Sequence, residues 1–330
     1  MGDGDRAADR LARLIDGYLS TQLLYVAAEL RIPDALADGP LTAAELAGSV
    51  GADADVMRRV LRGLAADEVL EEHPDGRFGL TGIGNLLRNG VAGSLRGAAL
   101  ARGGLYYGAL AGLLDATRAG GVPFERANGK TLFDYLDAHP AESARFQGSM
   151  AARSEREAAA VVDAYDFRRF RSLVDVGGGT GVLLRAILQV TPGLSATLFD
   201  RPEVVRESRL PAVGGDFFTE VPAAADAYLL SRVIHNWPDG DAIAILRTCR
   251  RATRDDSTLL LVEAVLPERA ADEPAAIRMD VHMLALLGGQ ERTAREFGAL
   301  LASAGFRLTG SVAAGAGVHV LEARPISQKV

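Results

Sequence analysis

The chain has 330 residues, 48% of them apolar, and a formal net charge of −7. That length exceeds an average single domain, so more than one domain is expected, each with a sizeable core. The acidic balance excludes a general affinity for nucleic acid, which needs clustered basic surface. A single cysteine, Cys249, excludes an intrachain disulfide and reads as a buried bystander in a helical pattern. No apolar run approaches the roughly 18 residues of a membrane span. The N-terminus (Gly2, Asp3, Asp5, Arg6) carries no basic-then-apolar signal. A cytoplasmic protein without membrane contact is expected.

In chain order, residues 6–30 show helical periodicity through Leu11, Leu14, Ile15, Leu19, Leu23 and Leu30. The apolar stripe is too wide for a lone surface helix and implies a partner surface. Residues 31–80 read as a winged-helix unit. Pro33 starts a short helix, Thr42 caps another with Glu45 three residues on, and Asp53 or Asp55 opens a third. A Pro-Asp-Gly turn then joins Val69–Glu72 to Arg77–Leu80 as a hairpin. The third helix offers Arg58, Arg59 and Arg62 to DNA, but Asp53, Asp55, Asp67 and Glu68 border them, which favours a dimerisation and covering role. Residues 81–165 look all-helical, with glycine-rich joints at Gly103-Gly104 and Gly120-Gly121. From Phe170 onward strand and helix patterns alternate, with strands at Leu173–Val176, Ala196–Phe199, Ala227–Leu230 and Leu259–Val262. A terminal hairpin follows, Phe306–Val312 and Val318–Ala323. Alternation of this kind predicts an α/β, doubly wound sheet, and the hairpin adds an antiparallel edge strand. The expected divisions are 1–90 for dimerisation, 91–165 for a substrate-covering region and 166–330 for the ligand-binding catalytic domain.

The chemistry lies in the last of these. Asp175-Val176-Gly177-Gly178-Gly179-Thr180-Gly181 follows an apolar strand and precedes an apolar helix, the order that holds a nucleotide-like ligand in an open sheet. Glycines let backbone approach a ligand where any Cβ would collide. The spacing is not that of a dinucleotide fingerprint. The carboxylate before the loop suits a cationic amino-acid ligand, and S-adenosylmethionine (SAM) is one. Asp200, 23 residues past Gly177, ends the next strand, where an acid accepts both ribose hydroxyls. Asp216 and Phe217 then offer a carboxylate to an adenine amine and an aromatic face to its ring. Beyond the fourth strand stands Ser231-Arg232-Val233-Ile234-His235-Asn236-Trp237. A histidine at a strand's carboxyl end suits proton abstraction from a hydroxyl. Glu263 ends the following strand and Glu291 comes from a further loop; a carboxylate beside imidazole fixes its tautomer and stabilises the imidazolium. The other four histidines lie near no cysteine or acid at metal-ligand spacing, so no metal is expected.

These motifs together resemble the SAM-dependent O-methyltransferases of small molecules, of the plant caffeate type and the bacterial antibiotic-pathway type. The resemblance covers nearly the whole chain and is most specific at His235-Asn236-Trp237 and Gly288-Gly289-Gln290-Glu291-Arg292-Thr293. It implies a C-terminal Rossmann-like domain behind a helical, winged-helix dimerisation module, and a homodimer whose N-terminal helices interlock. It implies SAM as donor and S-adenosylhomocysteine as product. Asp175, Gly177 and Gly179 would meet the methionine part, Asp200 the ribose, Asp216 with Phe217 the adenine, and Ser231 with Arg232 would also face the cofactor. His235 would be the general base with Glu263 and Glu291 beside it, and Met150, Asn236, Met279 and Met283 would line an aromatic or polyketide-type substrate. Two departures stand out. Ser231 takes the place of a cofactor-touching lysine of the plant enzymes. Only 15 residues separate Asp200 from Asp216, so Leu210-Pro211-Ala212-Val213 must carry the third strand alone. The rival readings are a SAM-binding relative with decarboxylase or hydroxylase chemistry, which the histidine disfavours, a winged-helix DNA regulator, and a scaffold that only dimerises.

Overall fold

The computed structural model describes residues 3–206, 208–315 and 317–327. The chain divides into two compact units, residues 1–108 with 136–150 and residues 109–135 with 151–330. The segment 91–165, expected as a separate covering region, is therefore shared between them.

In the first unit the N-terminal stripe is two helices, α1 (Asp3–Ile15) and α2 (Gly17–Glu29), broken at Asp16. Leu11, Leu14, Ile15, Tyr18 and Leu19 are all at least half exposed, an apolar face left to solvent in the single chain. After the short α3 (Ile32–Ala35) and β1 (Leu41–Thr42) come α4 (Ala43–Val50) and α5 (Ala54–Ala66). Thr42 and Glu45 form the expected capping box, and Asp53 caps α5 through the Val56 N–H. The wing is β2 (Leu70–Glu72) and β3 (Arg77–Leu80), with β1 completing a three-stranded sheet in the order β1-β3-β2. Gly76 turns the hairpin at φ +81°. Ile32, Leu46, Leu61, Leu64 and Phe78 fill the core between helices and wing. Arg62, one of the three arginines of α5, pairs with Glu72 of the wing at 3.3 Å.

Four short pieces follow: α6 (Gly82–Asn85), α7 (Arg96–Ala101), a π-helix (Arg102–Tyr106) and α8 (Tyr107–Leu110). Gly103 and Gly104 were expected at a joint, yet they sit inside the π-helix. A Cβ on Gly103 would collide with Cβ of Tyr25 on α2, and the Gly103 carbonyl accepts a 2.7 Å bond from Gln22 Nε2. The glycine serves close packing of one segment on another, not a bend. Then come α9 (Leu113–Ala119), α10 (Pro123–Asn128), α11 (Leu132–Ala138) and the long α12 (Pro140–Ala164).

The second unit is built on a seven-stranded sheet. Its chain order is β4 (Ser172–Val176), α13 (Val182–Val190), β5 (Ser195–Asp200), α14 (Pro202–Val205), β6 (Ala212–Gly214), β7 (Ala227–Ser231), α15 (Asp239–Ala252) and β8 (Thr258–Glu263). A two-residue strand β9 (Val265–Leu266) precedes α16 (Pro274–Leu287) and pairs with β10 (Arg292–Thr293). The chain ends on α17 (Ala294–Ser303), β11 (Phe306–Gly315) and β12 (Val318–Pro325).

Strands β6, β5, β4, β7 and β8 run parallel, and the strand order β11-β12-β8-β7-β4-β5-β6 reverses between β4 and β7. The last strand in sequence is not the outermost: β12 pairs antiparallel with β8, and β11 forms the edge. Alternate residues serve opposite faces. Val174, Tyr228, Leu230, Leu259 and Leu261 pack on α15 and α17, while Leu173, Ala227, Leu229, Leu260 and Val262 pack on α13 and the end of α12. Helix cover on both faces is why these strands read as near-continuous apolar runs, broken within β4 by Asp175. Cys249 lies fully buried in the first of these cores, and burial pushes its thiol up to about 12. The short span after Asp200 holds one helical turn, α14, and an exposed three-residue strand, β6. Pro211 lies just before that strand, where its missing N–H costs nothing and its carbonyl bonds Leu198 N at 2.8 Å.

Replacing Gly103 by Ala should cost about 1–3 kcal/mol in a denaturant titration, because the added methyl meets Tyr25. Gly108→Ala is the control: its Cβ meets nothing within 4 Å in α8. That change should be neutral or stabilising by up to about 1 kcal/mol.

Candidate active site

The reversal of strand order opens a crevice beyond the carboxyl ends of β4 and β7, and both motifs lie there. Gly177, Gly179 and Gly181 all adopt left-handed backbone, at φ +70°, +59° and +73°. The Gly177 N–H bonds Phe199 O at 2.7 Å, which folds the loop back over β5. A Cβ on Gly177 would come within 2.8 Å of Val233 Cγ2, and one on Gly178 would collide with the Asp175 carboxylate. At Gly177 a side chain is excluded by space as well as by φ, and at Gly178 by space. Asp175 is buried, and its Oδ1 has no hydrogen-bond partner among the described residues. Burial first, and the Asp200 charge second, push its carboxyl up to about 7. A cavity of about 200 Å³ opens beside it, lined by Asp175, Gly177, Gly179, Ser231 and Arg232 and by Ser154 and Glu157 of α12.

The residues expected around ribose and adenine fall outside that cavity lining. Asp200 crosses from β5 to the loop, its Oδ2 accepting the Gly179 N–H at 2.8 Å and its Oδ1 the Arg201 N–H at 2.7 Å. Asp216 is exposed and caps a turn through the Phe218 N–H at 2.9 Å. Phe217 packs edge-on with Trp237, centroids 6.1 Å apart, with its ring edge 3.5 Å from where a Cβ on Gly177 would stand.

On the other side of the crevice β7 ends in Ser231, Arg232 takes left-handed backbone at φ +56°, and a single 3₁₀ turn presents His235. His235, Glu263 and Glu291 are all buried, with ligand-type atoms within 4.8 Å of one another. The Arg232 guanidinium lies against Glu291, Nη1 to Oε1 at 3.4 Å, and brings a positive charge to the cluster. His235 Nδ1 and Glu291 Oε1 are 2.9 Å apart. An ionised carboxylate only accepts, so the Nδ1 proton points at Glu291 and the Nε2 lone pair is left for chemistry. The imidazole is enclosed but not sealed, its side chain keeping 7% exposure. Burial pushes the Glu291 carboxyl up, but the His235 bond and the charges on His235 and Arg232 outweigh it and hold the group below its usual range. Glu263 lies near the imidazole and turns Oε1 to the backbone, accepting N–H from Val233 at 3.1 Å and Ile234 at 2.8 Å, while its buried Oε2 has no hydrogen-bond partner among the described residues. Burial raises its carboxyl. It shapes the turn that carries the histidine.

The substrate-lining expectations distribute as follows. Asn236 is half-buried and donates from Nδ2 to Arg232 O at 3.1 Å. On α16, Met283 is buried and Met279 half-buried. Met150 is half-buried on α12 within the first unit. Three groups at the site escaped the sequence reading. Glu157 is buried and held by Arg153 and Arg232, each at 2.7 Å. Asp280 accepts the Glu291 N–H at 2.8 Å. Arg292, only 1% exposed, donates to Ile234 O, Trp237 O, Gln290 O and Asp239 Oδ1, tying the histidine segment to the Glu291 loop. The spacing of Arg153 and Glu157 was a signal, but a pair four apart on a helix ordinarily marks a solvated face.

Residues 109–307 match the model of the O-methyltransferase domain, and residues 12–90 that of the O-methyltransferase dimerisation domain. A phenazine O-methyltransferase of Lysobacter antibioticus is 44% identical over 328 residues, covering 96% of each chain. The solved mitomycin 7-O-methyltransferase superposes with a TM-score of 0.91 at 34% identity, over 98% of this chain and 100% of that one. An O-methyltransferase from neocarzinostatin biosynthesis was solved with SAM and 2-hydroxy-5-methyl naphthoic acid. It superposes with a TM-score of 0.81 at 32% identity, covering 93% of this chain and 96% of that one. With both domains matched and similarity running nearly end to end, the chain belongs to the SAM-dependent O-methyltransferase family.

Proposed function

We propose that this enzyme methylates a hydroxyl of a small aromatic or polyketide-type natural product, with His235 as general base and no metal in the reaction. The observation that carries the reading is the buried Nδ1–Glu291 bond at the carboxyl edge of β7. It fixes one ring nitrogen as donor and leaves the other as a lone pair for the acceptor hydroxyl. As the proton arrives at Nε2, the ionised Glu291 stabilises the imidazolium. Arg292 and Glu263 hold the segment so that the ring does not swing away. Burial excludes water that would compete for the same lone pair. The acceptors named for the relatives, a phenazine and a naphthoic acid, support an aromatic acceptor here.

The donor side fits SAM by an observation independent of the family. Asp175 lines the cavity beside the glycine loop and holds a buried carboxylate oxygen without a partner among the described residues, which suits a ligand bearing an ammonium. When bound, SAM supplies a methyl group on a sulfonium. Asp175, Gly177, Gly179, Ser231 and Arg232 would hold its amino-acid part, and Asp200, Asp216 and Phe217 are proposed for ribose and adenine. The exposed apolar face of α1 and the matched dimerisation domain support a homodimer through the N-terminal helices.

Offering the protein SAM and a panel of hydroxylated phenazines and naphthoates, with methylated product read by mass, tests the acceptor class; turnover of none of them would contradict it. His235→Ala should lower kcat by on the order of 10²- to 10⁴-fold while calorimetric SAM affinity stays within a few-fold. Near-normal turnover would remove the base assignment. Asp175 gives a stability prediction. The unfolded chain loses this proton at the ordinary carboxylate value, the native state only at about 7. The native state therefore holds the extra proton across that window, and stability falls as pH rises through it. Free Asp175→Asn protein should melt above the wild type at pH near 8, the gap closing toward pH 4, and SAM should stabilise the variant less. A gap that does not change with pH would contradict the assignment.

A further inference from the structure

Glu157 has no part in the chemistry described above, yet it is a buried acid that lines the cofactor-side cavity and reaches toward the base through one arginine. Arg232 donates to it at two points, Nη2 to Oε1 at 2.7 Å and Nε to Oε2 at 3.2 Å. The third donor of the same guanidinium, Nη1, makes a longer 3.4 Å contact with Glu291 Oε1. That oxygen is the one His235 Nδ1 uses at 2.9 Å. Arg153 braces Glu157 from the other side at 2.7 Å. One cation thus stands between two buried carboxylates, and its short, two-point bond goes to the carboxylate that does not touch the histidine.

We propose that Glu157 is a positioning residue for the base: by occupying two donors of Arg232 it keeps the Glu291 carboxylate available to His235. This rests on His235 being the base. The backbone around Arg232 is independently fixed, which makes the guanidinium's choice between partners the free variable. Its φ of +56° is costly for a non-glycine residue, and its N–H bonds Val262 O at 3.0 Å. With Glu157 neutral, a desolvated guanidinium must take its counter-charge from Glu291 and compete for Oε1. Burial pushes the Glu157 carboxyl up, but its bond to Arg232 and the Arg232 and Arg153 charges outweigh this and keep it ionised.

The charged groups facing the imidazole are Glu291 from the loop before β10, Glu263 at the end of β8 and Arg232 at the end of β7. Glu157 and Arg153 on α12 lie behind Arg232, and Asp280 on α16 lies behind Glu291. Removing the Glu157 charge leaves these surroundings less negative, so the imidazolium forms at lower pH. Removing the Arg153 charge leaves them more negative, so it forms at higher pH. An ion pair that merely anchors α12 gives the same charge-driven shifts but leaves the Nδ1–H bond to Glu291 intact. Positioning requires the downfield Nδ1–H proton signal to weaken or move in Glu157→Gln; an unmoved signal in that variant overturns the proposal.

The test follows the His235 ring signal by NMR through a pH titration of the free, full-length protein, assigned by its loss in His235→Ala. Glu157→Gln should move the titration midpoint down by about half a pH unit or more, and Arg153→Gln should move it up. Glu155→Gln, an exposed acid on the same helix, should leave it in place. The acid limb of kcat should move with the midpoint in each case. If Glu157→Gln fails to fold, the same Nδ1–H signal read in Glu157→Asp, which keeps the charge but shortens its reach to Arg232, decides. Midpoints that stay at the wild-type value in folded variants, or move in the same direction, overturn the proposal. A His235→Ala enzyme with unimpaired turnover would remove the base itself, an outcome distinct from an unmoved titration.

Discussion

Two carboxylates buried at the edge of a sheet, Glu263 and Glu291, constrain everything built around them. Taking each ion out of water costs several kcal/mol unless donors replace its hydration. The chain supplies those donors by its path. After β7 it turns so sharply that the Val233 and Ile234 N–H groups converge on Glu263, with Arg232 forced into left-handed backbone to make the turn. Glu291 receives the imidazole and the edge of a guanidinium. Arg292 then binds the carbonyls that this turn exposes. The histidine is oriented by the bonds that Oε1 of each carboxylate accepts, and a base that needs a defined ring nitrogen gains that definition from the bond to Glu291.

The donor side is bonded more sparsely still. Asp175 is as deeply placed, yet its Oδ1 has no partner and Asp200 adds a like charge nearby. Its neighbours are glycine backbone, which leaves space and offers the carboxylate no counter-charge. Glu263 and Glu291 also keep one buried oxygen each, Oε2, without a partner among the described residues, but their Oε1 atoms are bonded and hold the histidine segment. Asp175 near the end of β4 and Glu263 at the end of β8 flank the carboxyl end of β7, beside which the strand order reverses.

Much of this was legible because the sheet is buried on both faces. Leu259–Val262 is apolar without interruption and Leu173–Val176 is broken only by Asp175, so their strands and the motifs at their ends could be placed from sequence. The capping box at Thr42 and Glu45 and the wing turn at Gly76 were equally plain, since their signals are local. What stayed hidden depends on contacts distant in sequence. Gly103-Gly104 reads as a joint until Tyr25 is seen against it, and Asp16 interrupts a stripe whose periodicity continues through it. An acid at a strand end, such as Glu263, announces a buried charge but not its partner, and the partner is backbone. Glu157 and Arg292 were the largest omissions, because a charged residue in a helix or a loop carries no mark of burial until the fold encloses it.

The central claim is that His235 and Glu291 work as one unit, the carboxylate acting through the ring. A double-mutant cycle on kcat, with His235→Ala, Glu291→Gln and both together, measures it most directly. The account predicts that Glu291→Gln lowers kcat strongly in the presence of His235 and adds little once the ring is gone. Equal losses in the two backgrounds would contradict it.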